Sequence, residues 1–213
     1  MKIAVLGTGD VGKMLGDRLL AGGHAVRMGS RTAGNEKAAA WAAAASGDAS
    51  TGTFADAAAW ADMVLLAVSG MAALDVVASA KEALAGKVVI DLTNPLDFSQ
   101  GFPPRLSVCN DDSLGEQIQR AVPDARIVKT LNTLSNPLML APGQLEGPHD
   151  ILLCGNDPQA KSAVRELLVS FGWNDPIDLG DITNARGLEM WLPLWVRLFQ
   201  ALGTPMFNLH VQR

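Results

Sequence analysis

Short apolar runs alternate with longer amphipathic stretches along the whole chain. Residues 2–6, KIAVL, form a β-branched apolar run ending in GTGDVG, which predicts a buried strand. The next stretch, DVGKMLGDRLLAGG, puts Val11, Leu15 and Leu19 on one helical face, with Gly22 and Gly23 as its stop. HAVRM reads as a second strand, the alanine-rich EKAAAWAAAAS as a helix, and ADMVLLAVS as a third strand. MAALDVVASAKEAL is then a helix, KVVIDLT a strand, SLGEQIQRAV a helix and ARIVKTL a strand. The Pro/Gly-rich stretch Asn94–Asp112 reads as a long loop, and NTLSNPLMLAPGQLEGP as another. DILLCG predicts a strand, and PQAKSAVRELLVSFG a helix entered at Pro158 with Val164, Leu167, Leu168 and Phe171 on one face. NDPIDLG and MFNLHV are candidates for short final strands. Between them, ARGLEMWLPLWVRLFQALG predicts a helix kinked at Pro193, either packed in the core or forming a dimer face.

The strands are apolar on both faces and alternate with helices. That pattern specifies an α/β fold: a doubly wound parallel sheet of the Rossmann type, with a small C-terminal helical extension. We expect residues 1–140 to form a nucleotide-binding domain and 141–213 a C-terminal subdomain packed on it.

Composition narrows the classes. The chain has 213 residues, 48% hydrophobic and 18% charged, with a net charge of −5. The acidic balance argues against nucleic acid and anionic membranes as partners. No apolar run approaches the roughly 18 residues of a membrane span. Four apolar residues after Met1-Lys2 are too few for the core of a secretory leader. Cys109 and Cys154 are far apart and in no CxxC pattern. They read as free thiols in a reducing cytoplasm, with no metal site.

Gly7-Thr8-Gly9-Asp10-Val11-Gly12 is a GxGxxG loop between a strand and a helix, with a second strand at the expected distance. In that setting the first glycine allows a tight turn, the second lets a pyrophosphate approach the backbone, and the third lets the helix pack on the strand. The helix N-terminus then offers N–H groups and a positive dipole to the phosphates. Where NAD binders carry a carboxylate after the second strand, this chain has Ser30 and Arg31. A carboxylate would repel a ribose 2′-phosphate. A hydroxyl and a guanidinium would hold one, so the expected cofactor is NADP(H). Asn35 and Lys37 lie just beyond and could reinforce the phosphate site. The other strand ends carry Val68-Ser69, Asn94-Pro95 and Asn132-Thr133. They stand at the rim where a ligand crosses the sheet.

No acid–base residue announces itself. The three histidines, His24, His149 and His210, sit in no catalytic pattern, and there is no tyrosine. We therefore assign no catalytic side chain. Hydride transfer between two flat rings needs proximity more than protein acid–base chemistry, and it suits such a chain.

The N-terminal KIAVLGTGDVG, the GSR after the second strand, the helix DPQAKSAVRELLVSFGW and the tail NARGLEMWLPLWVRLFQALG resemble the coenzyme F420-dependent NADP oxidoreductases along nearly the full length. The resemblance implies that Thr8, Gly9, Asp10, Val11 and Gly12, with Ser30 and Arg31, hold NADP(H). It also implies that deazaflavin coenzyme F420, as co-substrate, stacks near Asn94 and Asn132-Thr133. The stretch LNTLSNPL departs from the resemblance. Reduction of a flavin, a ferric chelate, an imine or a carbonyl stays open as an alternative acceptor chemistry, as does a non-catalytic NADP sensor.

Overall fold

The computed structural model describes residues 1–212. Eight strands form one sheet: β1 (Lys2–Leu6), β2 (Ala25–Ser30), β3 (Ala49–Thr53), β4 (Met63–Leu66), β5 (Val88–Asp91), β8 (Arg126–Thr130), β9 (Leu152–Gly155) and β10 (Ile177–Asp178). Their spatial order is β10-β9-β8-β5-β4-β1-β2-β3. The chain moves outward from β1 to β3, then returns to β4 on the other side of β1. The crevice between β1 and β4 is therefore the topological switch point.

Helices cover both faces. On one lie α1 (Asp10–Ala21), α2 (Glu36–Ala44) and α8 (Pro158–Phe171). On the other lie α3 (Phe54–Trp60), α4 (Gly70–Ser79), α5 (Lys81–Leu84), α6 (Leu114–Ala121) and α9 (Ala185–Met190). Alternate residues of β1 divide between the two cores: Ile3 and Val5 pack with Leu15, Leu19 and Leu168, and Ala4 and Leu6 with Ala57, Val77 and Leu84. Both faces are buried, which is why the run has no polar alternation.

The structure departs from the pattern in several places. β3 and α3 are not announced by it. β3 is an edge strand paired only with β2, and its ASTGT sequence buries little. The helix expected over MAALDVVASAKEAL breaks at Ala80 into α4 and α5. The loop Asn94–Asp112 contains a two-stranded antiparallel hairpin, β6 (Leu96–Asp97) with β7 (Arg105–Leu106). The loop after β8 contains α7 (Asn136–Leu140) and a short 3₁₀ turn.

Another departure concerns direction. β9 runs antiparallel to β8, and β10 follows β9. A parallel return would need the connection to cross back over the sheet, usually in a helix. Here the connection, with the five-residue α7, stays at one rim, and the chain re-enters the sheet from the rim it left. No strand forms over MFNLHV, but that tail lies along the rim, where the Asp150 N–H donates to the Leu209 carbonyl at 3.0 Å.

The C-terminal helix is not a core helix. α10 (Leu192–Leu202) starts after a break at Trp191, with Pro193 in its first turn. Only Leu192 and Val196 are buried in it, while Leu194 and Leu202 are more than half exposed. No helix of the described residues is long and apolar enough to cross a membrane.

Candidate functional site

The groove begins where β1 meets the rim. Gly7 has φ 134°, and a Cβ there would lie 2.2 Å from the Ala67 carbonyl oxygen at the end of β4. A Cβ on Gly12 would lie 2.2 Å from the Gly7 carbonyl oxygen. These two glycines are required by the packing itself. Gly9 differs, because a Cβ there would meet nothing within 4 Å. It precedes α1, whose N-terminus has no side-chain cap. The first N–H groups of α1 are therefore left to an anion.

One lobe of the groove, about 360 Å³, is lined by Gly7, Thr8, Gly9, Ser30, Arg31 and Asn35, and by Val68 and Ser69 at its inner end. Ser30 is buried, and its hydroxyl donates to the Thr32 carbonyl at 2.6 Å. Its oxygen can therefore accept, but the proton already has a partner. Arg31 is exposed and forms no salt bridge among the described residues. Asn35 caps α2, its Oδ1 accepting from the Ala38 N–H at 3.0 Å. Lys37 does not line this lobe. It lies two residues into α2, roughly 200° around the helix from the cap, and faces a depression shared with Lys13, Asp17 and Trp41. Asp10 and Gly12 also lie outside the lining, Asp10 exposed in the first turn of α1 and Gly12 buried beneath the loop.

The second lobe, about 320 Å³, shares Ala67, Val68 and Ser69 with the first, so the two form one continuous groove. Val11, Asn94 and Asn132 line it, with Leu96 and Phe98 from the hairpin, Met139 from α7, and Leu192 and Trp195 from α10. None of its lining residues is ionisable. Asn94 and Asn132 join two strand ends: Asn94 Nδ2 donates to the Asn132 carbonyl at 2.8 Å, and Asn132 Nδ2 donates to Asn94 Oδ1 at 2.9 Å and to the Leu188 carbonyl at 3.1 Å. Leu131, at φ 64°, makes the turn that aims Asn132 this way, a conformation that costs a branched residue about 1–2 kcal/mol. Pro95 and Thr133 are buried behind the wall and do not line the lobe.

Beneath this wall lies a charged cluster. Lys129 is fully buried, its Nζ 2.9 Å from both Asp91 Oδ2 and Glu189 Oε1, and it also donates to the Thr93 carbonyl. Burial opposes its charge, but Asp91 and Glu189 outweigh that and hold its pKa above the ordinary lysine value. Glu189 in turn accepts from the N–H groups of Leu114 and Gly115 at 2.8 and 2.9 Å, at the start of α6. The second carboxylate is thus balanced by a helix N-terminus. The cluster ties β5, β8, α6 and α9 together behind the second lobe.

A bidentate pair reinforces the α6–α9 contact: Arg186 donates to Glu116 at 2.8 and 2.6 Å. The Arg186 guanidinium holds the Glu116 carboxyl below its ordinary 4.5. A depressed carboxylate stabilises the fold above its unfolded pKa and loses that contribution as pH falls through the folded value. Arg186→Met should therefore lower stability at neutral pH. The gap to wild type should close as pH drops below the unfolded value, read by urea denaturation at stepped pH. A gap independent of pH would mean that the pair contributes only packing.

The histidines lie elsewhere. His149 and His210 border a separate cavity of about 510 Å³ with Trp173 and Asp150, and His24 directly precedes β2, next to the edge strand on the other side of the sheet. Among the described residues no group of three or more His, Cys, Asp or Glu could hold a metal.

Comparison with known proteins identifies the family. Residues 2–95 match the sequence profile described as NADP oxidoreductase coenzyme F420-dependent. The chain is 32% identical to the F420-dependent NADP reductase of Methanocaldococcus jannaschii, with 96% of each chain covered. This chain belongs to the F420-dependent NADP oxidoreductases. A family member from Arthrobacter sp. FB24, provisionally described as an F420 dependent NADP-reductase, has a crystal structure that matches at TM-score 0.94 and 47% identity over all of both chains. Metalloreductase STEAP3 of Rattus norvegicus is 30% identical over 95% of this chain, which spans 39% of that longer protein.

The family profile covers the first lobe and ends at Pro95, so the outer wall of the second lobe lies beyond it. That wall holds what the sequence reading missed. The polar pattern KTLNT gives no sign that Lys129 is buried, and Trp195 reads as one of several apolar residues in an amphipathic tail. Neither had a local signal.

Proposed function

We propose that this protein carries a hydride between NADPH and the deazaflavin coenzyme F420. One proton is taken up from solution when F420 is the acceptor. The observation that carries this reading is the continuous groove itself: a phosphate-binding lobe that shares Ala67, Val68 and Ser69 with an apolar lobe free of ionisable lining. Gly9 and the N-terminus of α1 would face the pyrophosphate, and Arg31 the 2′-phosphate. The nicotinamide would lie over Val68 and Ser69, against an acceptor ring between Asn94, Asn132 and the hairpin. Transfer between two preformed rings then rests on orientation and exclusion of water. A carbonyl or imine acceptor would draw on an ionisable acid beside the reacting group, whereas the polar side chains among the described lining are the hydroxyls of Ser69 and Thr93, the amides of Asn94, Asn132 and Asn136, and the Trp195 indole. On this reading residues 1–140 carry the nucleotide, and the segment after 140 contributes Leu192 and Trp195 to the acceptor's wall. The free thiols Cys109 and Cys154 and the use of NADPH favour the cytoplasm. The exposed Leu194, Phe199 and Leu202 of α10 supply an edge on which a homodimer would close.

The deciding assay is anaerobic NADPH oxidation by purified protein with F420, followed by flavins, ferric chelates and an imine panel. Turnover with F420 at the highest kcat/KM supports the reading, whereas turnover confined to another acceptor would replace it. Cofactor choice is tested separately. Arg31→Ala should weaken NADPH binding about ten- to thousandfold, as expected for one or two charge-assisted hydrogen bonds, and leave NADH nearly unchanged. Equal NADPH and NADH affinity in the unmutated protein, by calorimetry, would remove the 2′-phosphate from the argument.

A further inference from the structure

The second lobe holds two buried polar atoms without partners, one donor and one acceptor. Trp195 Nε1 and Asn132 Oδ1 are both shielded from solvent and form no hydrogen bond, and both residues line the lobe. Such atoms cost stability unless a ligand satisfies them. The orientation of the Asn132 amide follows from its surroundings. Its nitrogen faces two acceptors, Asn94 Oδ1 and the Leu188 carbonyl, so the oxygen must point the other way. The Trp195 indole is held between near-parallel neighbours, with Phe199 at 5.8 Å and 18° and Phe207 at 5.3 Å and 29° between ring centroids and planes. This aromatic stack rides on a helix anchored by only two buried side chains, Leu192 and Val196. Contact with a ligand therefore requires α10 to shift outward far enough to uncover the N–H.

We propose that Trp195 and Asn132 together read the lactam edge of the acceptor ring. The indole N–H donates to a ring carbonyl, and Asn132 Oδ1 accepts from the adjacent ring N–H. The substrate class is then a flat heteroaromatic hydride acceptor with a pyrimidinedione edge, and Trp195 is a specificity-determining residue. The inference rests on the hydride-transfer reading above. It adds the feature by which the lobe tells a deazaflavin or flavin from a flat ring without the C=O and N–H pair.

The test compares wild type with Trp195→Phe, which keeps an aromatic ring and removes the N–H. The titrants are F420, deazariboflavin and N3-methyl-deazariboflavin, added to the NADP-loaded protein. Trp195→Phe should raise the F420 Kd and KM about three- to tenfold, the loss of one neutral hydrogen bond. The Kd for NADPH should stay unchanged, which shows that the fold and first lobe are intact. N3-methylation should weaken binding by a similar factor in both proteins. Unaltered F420 binding by Trp195→Phe, or equal binding of the methylated and parent rings, overturns the proposal while leaving F420 turnover in place. If the wild type neither binds nor reduces F420, the acceptor assignment falls by itself. Riboflavin and N3-methylriboflavin then make the same comparison, and failure of riboflavin to bind also overturns the proposal.

Discussion

Gly9→Val is expected to give a folded protein that no longer holds NADPH. A Cβ at position 9 meets nothing within 4 Å, and the backbone there is extended at φ −77°. The substitution therefore asks nothing of the packing. The added side chain instead projects into the first lobe, which Gly9 lines in front of the uncapped start of α1. That is the space a pyrophosphate needs in order to reach the backbone. NADPH affinity should fall by at least about 100-fold, close to 3 kcal/mol, and turnover should disappear with it. The urea midpoint should stay near that of the wild type. Gly12→Ala supplies the contrast: its Cβ would collide with the Gly7 carbonyl, so stability and binding should be lost together. Near-native NADPH affinity in Gly9→Val, by calorimetry, would place the phosphates elsewhere.

Lys129→Met is expected to be the most destabilising single change in the sheet. The methionine fills similar space but leaves Asp91 and Glu189 buried without the ammonium that sits 2.9 Å from each. Removing one partner from a buried ionic cluster costs about 3–5 kcal/mol, because the two carboxylates then lie in low dielectric with only the Thr93 donors and the start of α6 to offset their charge. Urea unfolding should show the loss. A Lys129→Met/Glu189→Gln double variant should recover part of it, because one uncompensated charge is gone and Gln can still accept from the start of α6. A single variant as stable as the wild type would mean that water reaches the cluster and screens it. The acceptor lobe should suffer before the fold does, because Lys129 also holds the Thr93 carbonyl directly before Asn94.

Much of this protein can be read from residue order alone. A strand apolar at successive positions needs cover on both faces, so the runs at residues 3–6 in β1, Met63–Leu66 in β4 and residues 88–90 in β5 specify a buried sheet wherever the helices lie. The glycine loop is also local, because Gly7, Gly9 and Gly12 act within one strand–turn–helix unit. Ser30 and Arg31 follow directly from the end of β2. Periodicity carries no record of strand order, strand direction or which rims meet. The reversal of β9 is set by a connection that stays at one rim of the sheet, which no local pattern records. β3 is paired on one edge only, so its residues needed no apolar pattern. Lys129 finds Asp91 across the β5–β8 pair and Glu189 because α9 docks on α6. Lys37 turns away from Arg31 because two residues of helix rotate it about 200°. Trp195 joins the groove because the tail folds back over the rim. Sequence by itself determined the buried strands, the longer helices and the nucleotide loop, since those depend on neighbours within a few residues. The tertiary structure alone decided the acceptor lobe and its buried charges, since each of their contacts joins segments that only the order of strands in the sheet brings side by side.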